Sequence, residues 1–131
     1  MTQRQAIEFI DNMKTTNTQY ICVQVDIPKV LESWRQSVFS FQWMNADGSI
    51  KTLDELSEDE RPKRENVEIT LKTGKPIAKP ILGIGINENI EIGTGRAELL
   101  TLAAHGVQTI PVHIPKSNES DFQAFLADVK S

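Results

Sequence analysis

An α+β (α/β) fold, with a small mixed β-sheet packed against several helices, is what the sequence predicts, on three observations. Short runs rich in β-branched and aromatic residues, such as Tyr20-Ile21-Cys22-Val23-Gln24-Val25, stand between segments whose apolar residues recur every three or four positions. Turn-forming clusters separate these segments: Asn45-Ala46-Asp47-Gly48, Gly74, Asn87-Glu88-Asn89 and Gly106. The 131 residues amount to about one domain and can bury one core without metal or disulfide staples. Residues 1–131 are therefore expected to form one unit.

In the first half, residues 3–14 carry Ile7, Phe9, Ile10 and Met13 at helical spacing and predict an opening helix, with a turn over 15–18. Residues 19–27 predict a strand in which Cys22 is a buried structural residue. Pro28 suits the first turn of a short helix reaching Trp34. Residues 37–43 (Ser-Val-Phe-Ser-Phe-Gln-Trp) predict a second strand, returning as a hairpin through Asn45-Ala46-Asp47-Gly48. Trp34, Trp43, Phe39 and Phe41 are either core or, where exposed, a protein-binding surface. Ser57 and Glu60 fit the capping box of a helix start, and Pro62 interrupts any single long helix there. The charges of Arg61, Lys63 and Arg64 are largely cancelled by Glu58, Asp59, Glu60 and Glu65, which predicts a solvated face.

Residues 65–72 admit two readings. Val67, Ile69 and Leu71 alternate as in a strand, whereas the family likeness described below places a helix there; Gly74 ends the element in either case. Residues 81–86 predict a buried strand, which outweighs reading Gly83 and Gly85 as a dinucleotide fingerprint, because no helix follows directly. Residues 90–92 return as a strand, and Gly93-Thr94-Gly95 opens a helix from about Arg96 to His105, ended by Gly106. His105 sits where a cation favours the helix end. Residues 109–114 predict a strand, with His113 facing away from Val112 and Ile114. Residues 119–130 predict a last amphipathic helix carrying Phe122, Phe125, Leu126 and Val129.

The net charge of −4 argues against nonspecific nucleic-acid binding, which needs a surplus of lysine and arginine to neutralise phosphates. One cysteine forbids an internal disulfide and suits a reducing compartment. The start of the chain lacks an apolar signal core, and the longest apolar run is too short to span a bilayer. The expectation is a cytoplasmic protein without a membrane partner. Two histidines without cysteines or carboxylates at ligand spacing make no structural zinc site.

The chemistry-bearing segment is Gly93-Thr94-Gly95-Arg96. Free N–H groups at a helix start carry partial positive charge, glycines let a ligand approach the backbone, and arginine offers a planar cationic fork. Together they point to an anion site; the bland alternative is a tight turn with Arg96 on the surface or paired with Glu91.

The run from Pro80 to Ile114, PILGIGINENIEIGTGRAELLTLAAHGVQTIPVHI, resembles the core of the ParB/sulfiredoxin-like superfamily: strand, turn, strand, Gly-x-x-Arg, helix, Gly, and a strand containing Ile-Pro-Val. The likeness is best over residues 80–114. It implies a phosphate- or nucleotide-binding domain, with Gly93, Thr94, Gly95 and Arg96 holding phosphate and a nucleotide with Mg2+ as the candidate cofactor. Glu91 and Glu98 flank the turn and are the candidate catalytic carboxylates for nuclease or phosphoryl-transfer activity; the sequence leaves open whether the chain is an enzyme. Two departures matter. Thr94 and Gly95 stand where sulfiredoxin has cysteine and histidine, and a threonine cannot replace a thiolate nucleophile. ParB pairs two arginines in this turn and adds a helix-turn-helix domain; here Arg96 stands alone, and with room for one helix after Ile114 the expectation is a domain of this type without the helix-turn-helix. The alternative is a non-catalytic binding protein, of inhibitor or immunity type, that masks a protein partner.

Overall fold

The computed structural model describes residues 7–12 and 19–127, and its elements form an α+β fold. In order they are β1 (Phe9–Ile10), β2 (Tyr20–Asp26), α1 (Ile27–Trp34), α2 (Arg61–Thr73), β3 (Ile77–Ala78), β4 (Ile81–Ile84), β5 (Ile90–Thr94), α3 (Arg96–Ala104) and β6 (Thr109–Pro115). A four-stranded sheet runs β2-β6-β4-β5, and β1 pairs with β3 in a separate two-stranded sheet.

The prolines of β6 explain the sheet's uneven pairing. β6 runs antiparallel to β2 over seven residue pairs, from Tyr20–Pro115 to Asp26–Thr109. Toward β4 it pairs in parallel only at His113 with Ile81, where the His113 N–H donates to the Pro80 carbonyl at 2.9 Å. Pro111 and Pro115, two residues to either side, have no N–H to extend that ladder. β4 and β5 close the sheet as an antiparallel hairpin.

Alternation along the strands then sets the core. Val25, Ile110, Val112, Ile114, Leu82, Ile90 and Ile92 are buried together with Val30, Leu31 and Trp34 of α1 and Leu99, Leu100 and Leu102 of α3. α1 starts where Asp26 caps it, its carboxylate accepting from the Lys29 N–H at 3.1 Å, with Pro28 in the first turn as expected. Residues 65–72 belong to α2, which begins at Arg61 with Pro62 in its first turn. In the helix Val67 is buried and Ile69 points outward, and Gly74 ends it in the left-handed conformation.

Six expectations are corrected. The buried strand expected over 81–86 stops at Ile84 and Ile86 is fully exposed, because the turn already starts at Gly85, whose carbonyl accepts from the Glu88 N–H at 2.9 Å. Residues 9–10 form a strand, so the opening helix does not exist in residues 7–12; residues 3–6 and 13–14, and the turn at 15–18, lie outside the described residues. Residues 37–43 hold a three-ten turn at Ser40–Gln42 in place of a strand, although Met44 and Ile50 do bridge across the Asp47-Gly48 turn. The serines are the reason: Ser37 Oγ accepts from the Phe39 N–H, and Ser40 Oγ donates to the carbonyls of Arg35 and Ser37, so side chains take over the bonding a ladder would use. The Ser57–Glu60 pair forms half a box: Ser57 Oγ accepts from the Glu60 N–H at 3.3 Å, while the Glu60 carboxylate is committed to Trp43 and Lys63. A short three-ten segment, Asp121–Phe125, replaces the last helix, and Leu126 then pairs with Val25; residues 128–130 lie outside the described residues. Cys22 is exposed, because its side chain lies on the opposite face of β2 from Val23 and Val25.

Candidate functional site

The turn into α3 is built by a close backbone approach. The pairing of β4 with β5 jumps from Leu82–Ile92 to Ile81–Thr94, leaving Gly93 as the extra residue of a bulge. Gly95 then takes φ of +86°, and a Cβ placed on it would lie 2.8 Å from Pro80 Cα and Cβ. No other residue fits there without displacing the chain ahead of β4. Packing alone therefore requires this glycine.

Gly95 brings no capping side chain to α3, and the first helical bond is from the Leu99 N–H to the Gly95 carbonyl, at 2.9 Å. The amides of residues 96–98 precede that bond. They border a cleft of about 450 Å³ between α2 and the turn, lined by Lys63, Asn66 and Thr70 from α2 and by residues 92–98. Thus the structure brings together Gly93, Thr94, Gly95, Arg96 and Glu98 of the residues singled out in the sequence. Glu91 lies elsewhere. Its carboxylate accepts from Ser37 Oγ at 2.7 Å and from Asn89 Nδ2 at 3.0 Å, so it fastens the end of α1 to the β4–β5 hairpin.

Arg96 is engaged on its other side. Its Nη1 donates to Gln42 Oε1 at 2.6 Å, and its guanidinium carbon sits 5.3 Å from the Phe39 ring centre and 5.7 Å from that of Trp34. The side chain thus forms a planar layer between a buried tryptophan and a half-exposed phenylalanine, and its Nε is buried without a hydrogen-bond partner. Beside it, Glu60 Oε1 accepts from Trp43 Nε1 at 2.8 Å, and Lys63 Nζ donates to Glu60 Oε2 at 2.9 Å. Burial pushes the Glu60 carboxyl up, but these two hydrogen bonds and the charges of Lys63 and Arg96 outweigh it and hold the group below its ordinary value.

The cleft lining offers two carboxylates, Glu60 and Glu98, of which Glu60 is already bound by Lys63 and Trp43. A metal-bound nucleotide would find Glu98 there, together with Lys63 and the amides. Among the described residues, no group of three or more His, Cys, Asp or Glu side chains is placed to hold a metal ion. His105 ends α3, as expected, and its Nε2 lies 2.7 Å from Glu68 Oε1.

Where Arg96 reaches the surface, the chain presents Val38, Phe39 and Phe41 at 74%, 49% and 65% exposure. The four aromatic residues therefore divide: Trp34 and Trp43 are core, and Phe39 and Phe41 are surface. Neither the Gln42–Arg96 bond nor the Glu60–Trp43 bond is legible in sequence, since each joins residues whose spacing carries no motif. No helix among the described residues is long and apolar enough to cross a membrane.

No family model and no curated protein matches the sequence. Among solved structures, the chain resembles the Oncogenic Suppression Activity Protein, a plasmid fertility inhibition factor, with a TM-score of 0.61 and 11% sequence identity. The match covers 88% of this chain and 61% of that one, so the chain spans about three fifths of that protein's length. At this identity the likeness is one of fold.

Proposed function

We propose that the chain is a non-catalytic binding protein of inhibitor type, which masks a protein partner with the surface around Val38, Phe39 and Phe41. The observation that carries this reading is the bracing of that surface. Three large apolar side chains stand in water on one short segment, and Arg96 holds the segment from beneath through Phe39 and Gln42. Exposed apolar groups on a rigid support suit a partner's pocket, because little ordering entropy remains to be lost on binding. Burying one phenylalanine side chain in a partner contributes about 1.5–3 kcal/mol. The likeness in fold to a plasmid fertility inhibition factor supports the same reading and names a process to assay. Donor cells carrying a conjugative plasmid and expressing the chain should transfer it less often, and Val38→Asp with Phe41→Asp should restore transfer. Unchanged inhibition by that double variant would count against this surface.

A second reading follows from the uncapped start of α3. The amides of residues 96–98, together with Lys63, would take a phosphate or nucleotide in the cleft, with Gly93, Thr94 and Gly95 shaping its floor and Glu98 as the carboxylate at hand. Kinship with the ParB/sulfiredoxin-like superfamily belongs to this reading. Glu60 opposes it, since its negative charge borders the same cleft and already occupies Lys63.

A further inference from the structure

We propose that Asn12 is a clasp between the N-terminal strand and the turn that starts α3, and that protonation of the His113 imidazole opens it. The Asn12 N–H donates to His113 Nε2 at 3.3 Å, while its side-chain Nδ2 donates to the Lys79 carbonyl at 3.1 Å and to Thr94 Oγ1 at 3.2 Å. One residue thus reaches β6, the chain ahead of β4, and the turn that lies between the cleft and Arg96. The strand before it is short: β1 has two residues, joined to β3 through bonds from the Ile77 N–H to Glu8 O and from the Lys79 N–H to Ile10 O, each 2.9 Å. A strand of that length holds little by itself, so the contacts at Asn12 secure its end.

The His113 bond exists in one protonation state. Nε2 accepts from a backbone N–H only when it carries no proton, which places the ring proton on Nδ1. The imidazole is 8% exposed, so a proton on Nε2 enters a largely buried contact. Three groups face it from the surrounding elements. Asp11 Oδ1 lies 3.7 Å from Nε2, Lys79 binds that same Asp11 oxygen at 2.8 Å, and Cys22 is the register partner of His113 on β2. A proton on Nε2 would set one donor against another and draw Asp11 away from Lys79. The first change releases the Asn12 N–H from β6, while the second brings Asp11 toward the ring, so the loss falls on Asn12.

Burial pushes the imidazole below its ordinary value of 6.5; the Asp11 charge offsets part of this, and Lys79 adds to it. The group is therefore neutral in the closed state at pH 7. Its contribution is fully present above the ordinary imidazole value and is lost as pH falls through the lower folded-state value. The clasp is independent of both functional readings, since it concerns how the turn is held and not what binds beside it.

The experiment is an NMR titration of the whole chain from about pH 8 to about pH 5. His105→Gln removes the other of the two histidines, so the remaining ring is that of His113. The Asn12 and Thr94 amides should titrate with the midpoint of that ring, below 6.5. Exchange protection of the Asn12 amide should fall by up to about tenfold per pH unit in that window. His113→Gln, whose side-chain oxygen can accept the same N–H, should keep the clasp closed throughout. Asn12→Ala should loosen Thr94 at every pH while the His113 ring still titrates. An Asn12 amide that ignores the ring's midpoint, or a pH dependence that survives in His113→Gln, overturns the proposal. Should His113→Gln not fold, co-titration in the chain with its native His113 decides alone.

Discussion

Removing the Arg96 side chain separates a brace from a ligand-holding arginine by stability alone. Arg96→Ala deletes one charge-assisted hydrogen bond to Gln42, which contributes about 1.5–3 kcal/mol. It also deletes contacts with the faces of Phe39 and Trp34, each of about 0.5–2 kcal/mol. Against these stands the relief of a buried Nε that has no acceptor, about 1–3 kcal/mol. At mid-range values the balance is a destabilisation of about 3 kcal/mol, read in urea unfolding followed by tryptophan fluorescence as a midpoint lower by about 1 M or more. Arg96→Lys should recover less than half, since an ammonium keeps the charge but not the flat fork that fits between the rings. The pair Arg96→Ala and Phe39→Ala should couple by about 0.5–2 kcal/mol. A loss under about 0.5 kcal/mol, the usual range for a surface residue, together with no coupling to Phe39 would show that Arg96 braces nothing.

Two further outcomes follow. Gly95→Ala, which forces a Cβ to 2.8 Å from Pro80 Cα at φ of +86°, should cost about 2–5 kcal/mol in the same unfolding measurement; a loss below about 1 kcal/mol would mean that the turn yields easily. If the cleft binds phosphate, a nucleotide present at a hundredfold excess over its Kd should raise stability by about 2.7 kcal/mol, seen as a higher Tm that Lys63→Ala reduces; an unchanged Tm across nucleotides with and without Mg2+ would remove that reading.

The segment from residue 80 to residue 115 was legible because its signals agree. β-branched runs, the Asn87-Glu88-Asn89 turn and the glycines at 95 and 106 locate β4, β5, α3 and β6, although β4 ends at Ile84 and Gly93 lies within β5 as a bulge. The reading failed where a local preference met a tertiary demand. Ser37 and Ser40 bend a stretch whose aromatic and β-branched content favours a strand. Ile7, Phe9 and Ile10 have helical spacing, yet β3 offers backbone partners that a helix would leave unused. In residues 65–72 the alternation of Val67, Ile69 and Leu71 hid a helix that leaves Ile69 on the surface. At the candidate site, the turn and its glycines were visible in sequence, but the direction of the Arg96 head was not. That direction depends on Gln42 and Phe39, more than fifty residues earlier in the chain.

Plasmid transfer from donors expressing Val38→Asp with Phe41→Asp, scored beside donors expressing the unaltered chain, bears on the binding surface itself. Both side chains are exposed, so the variant should unfold within about 0.5 kcal/mol of the parent. With folding matched, the unaltered chain should lower transfer and the variant should not. Equal inhibition by the two would place the partner-binding surface elsewhere on the molecule.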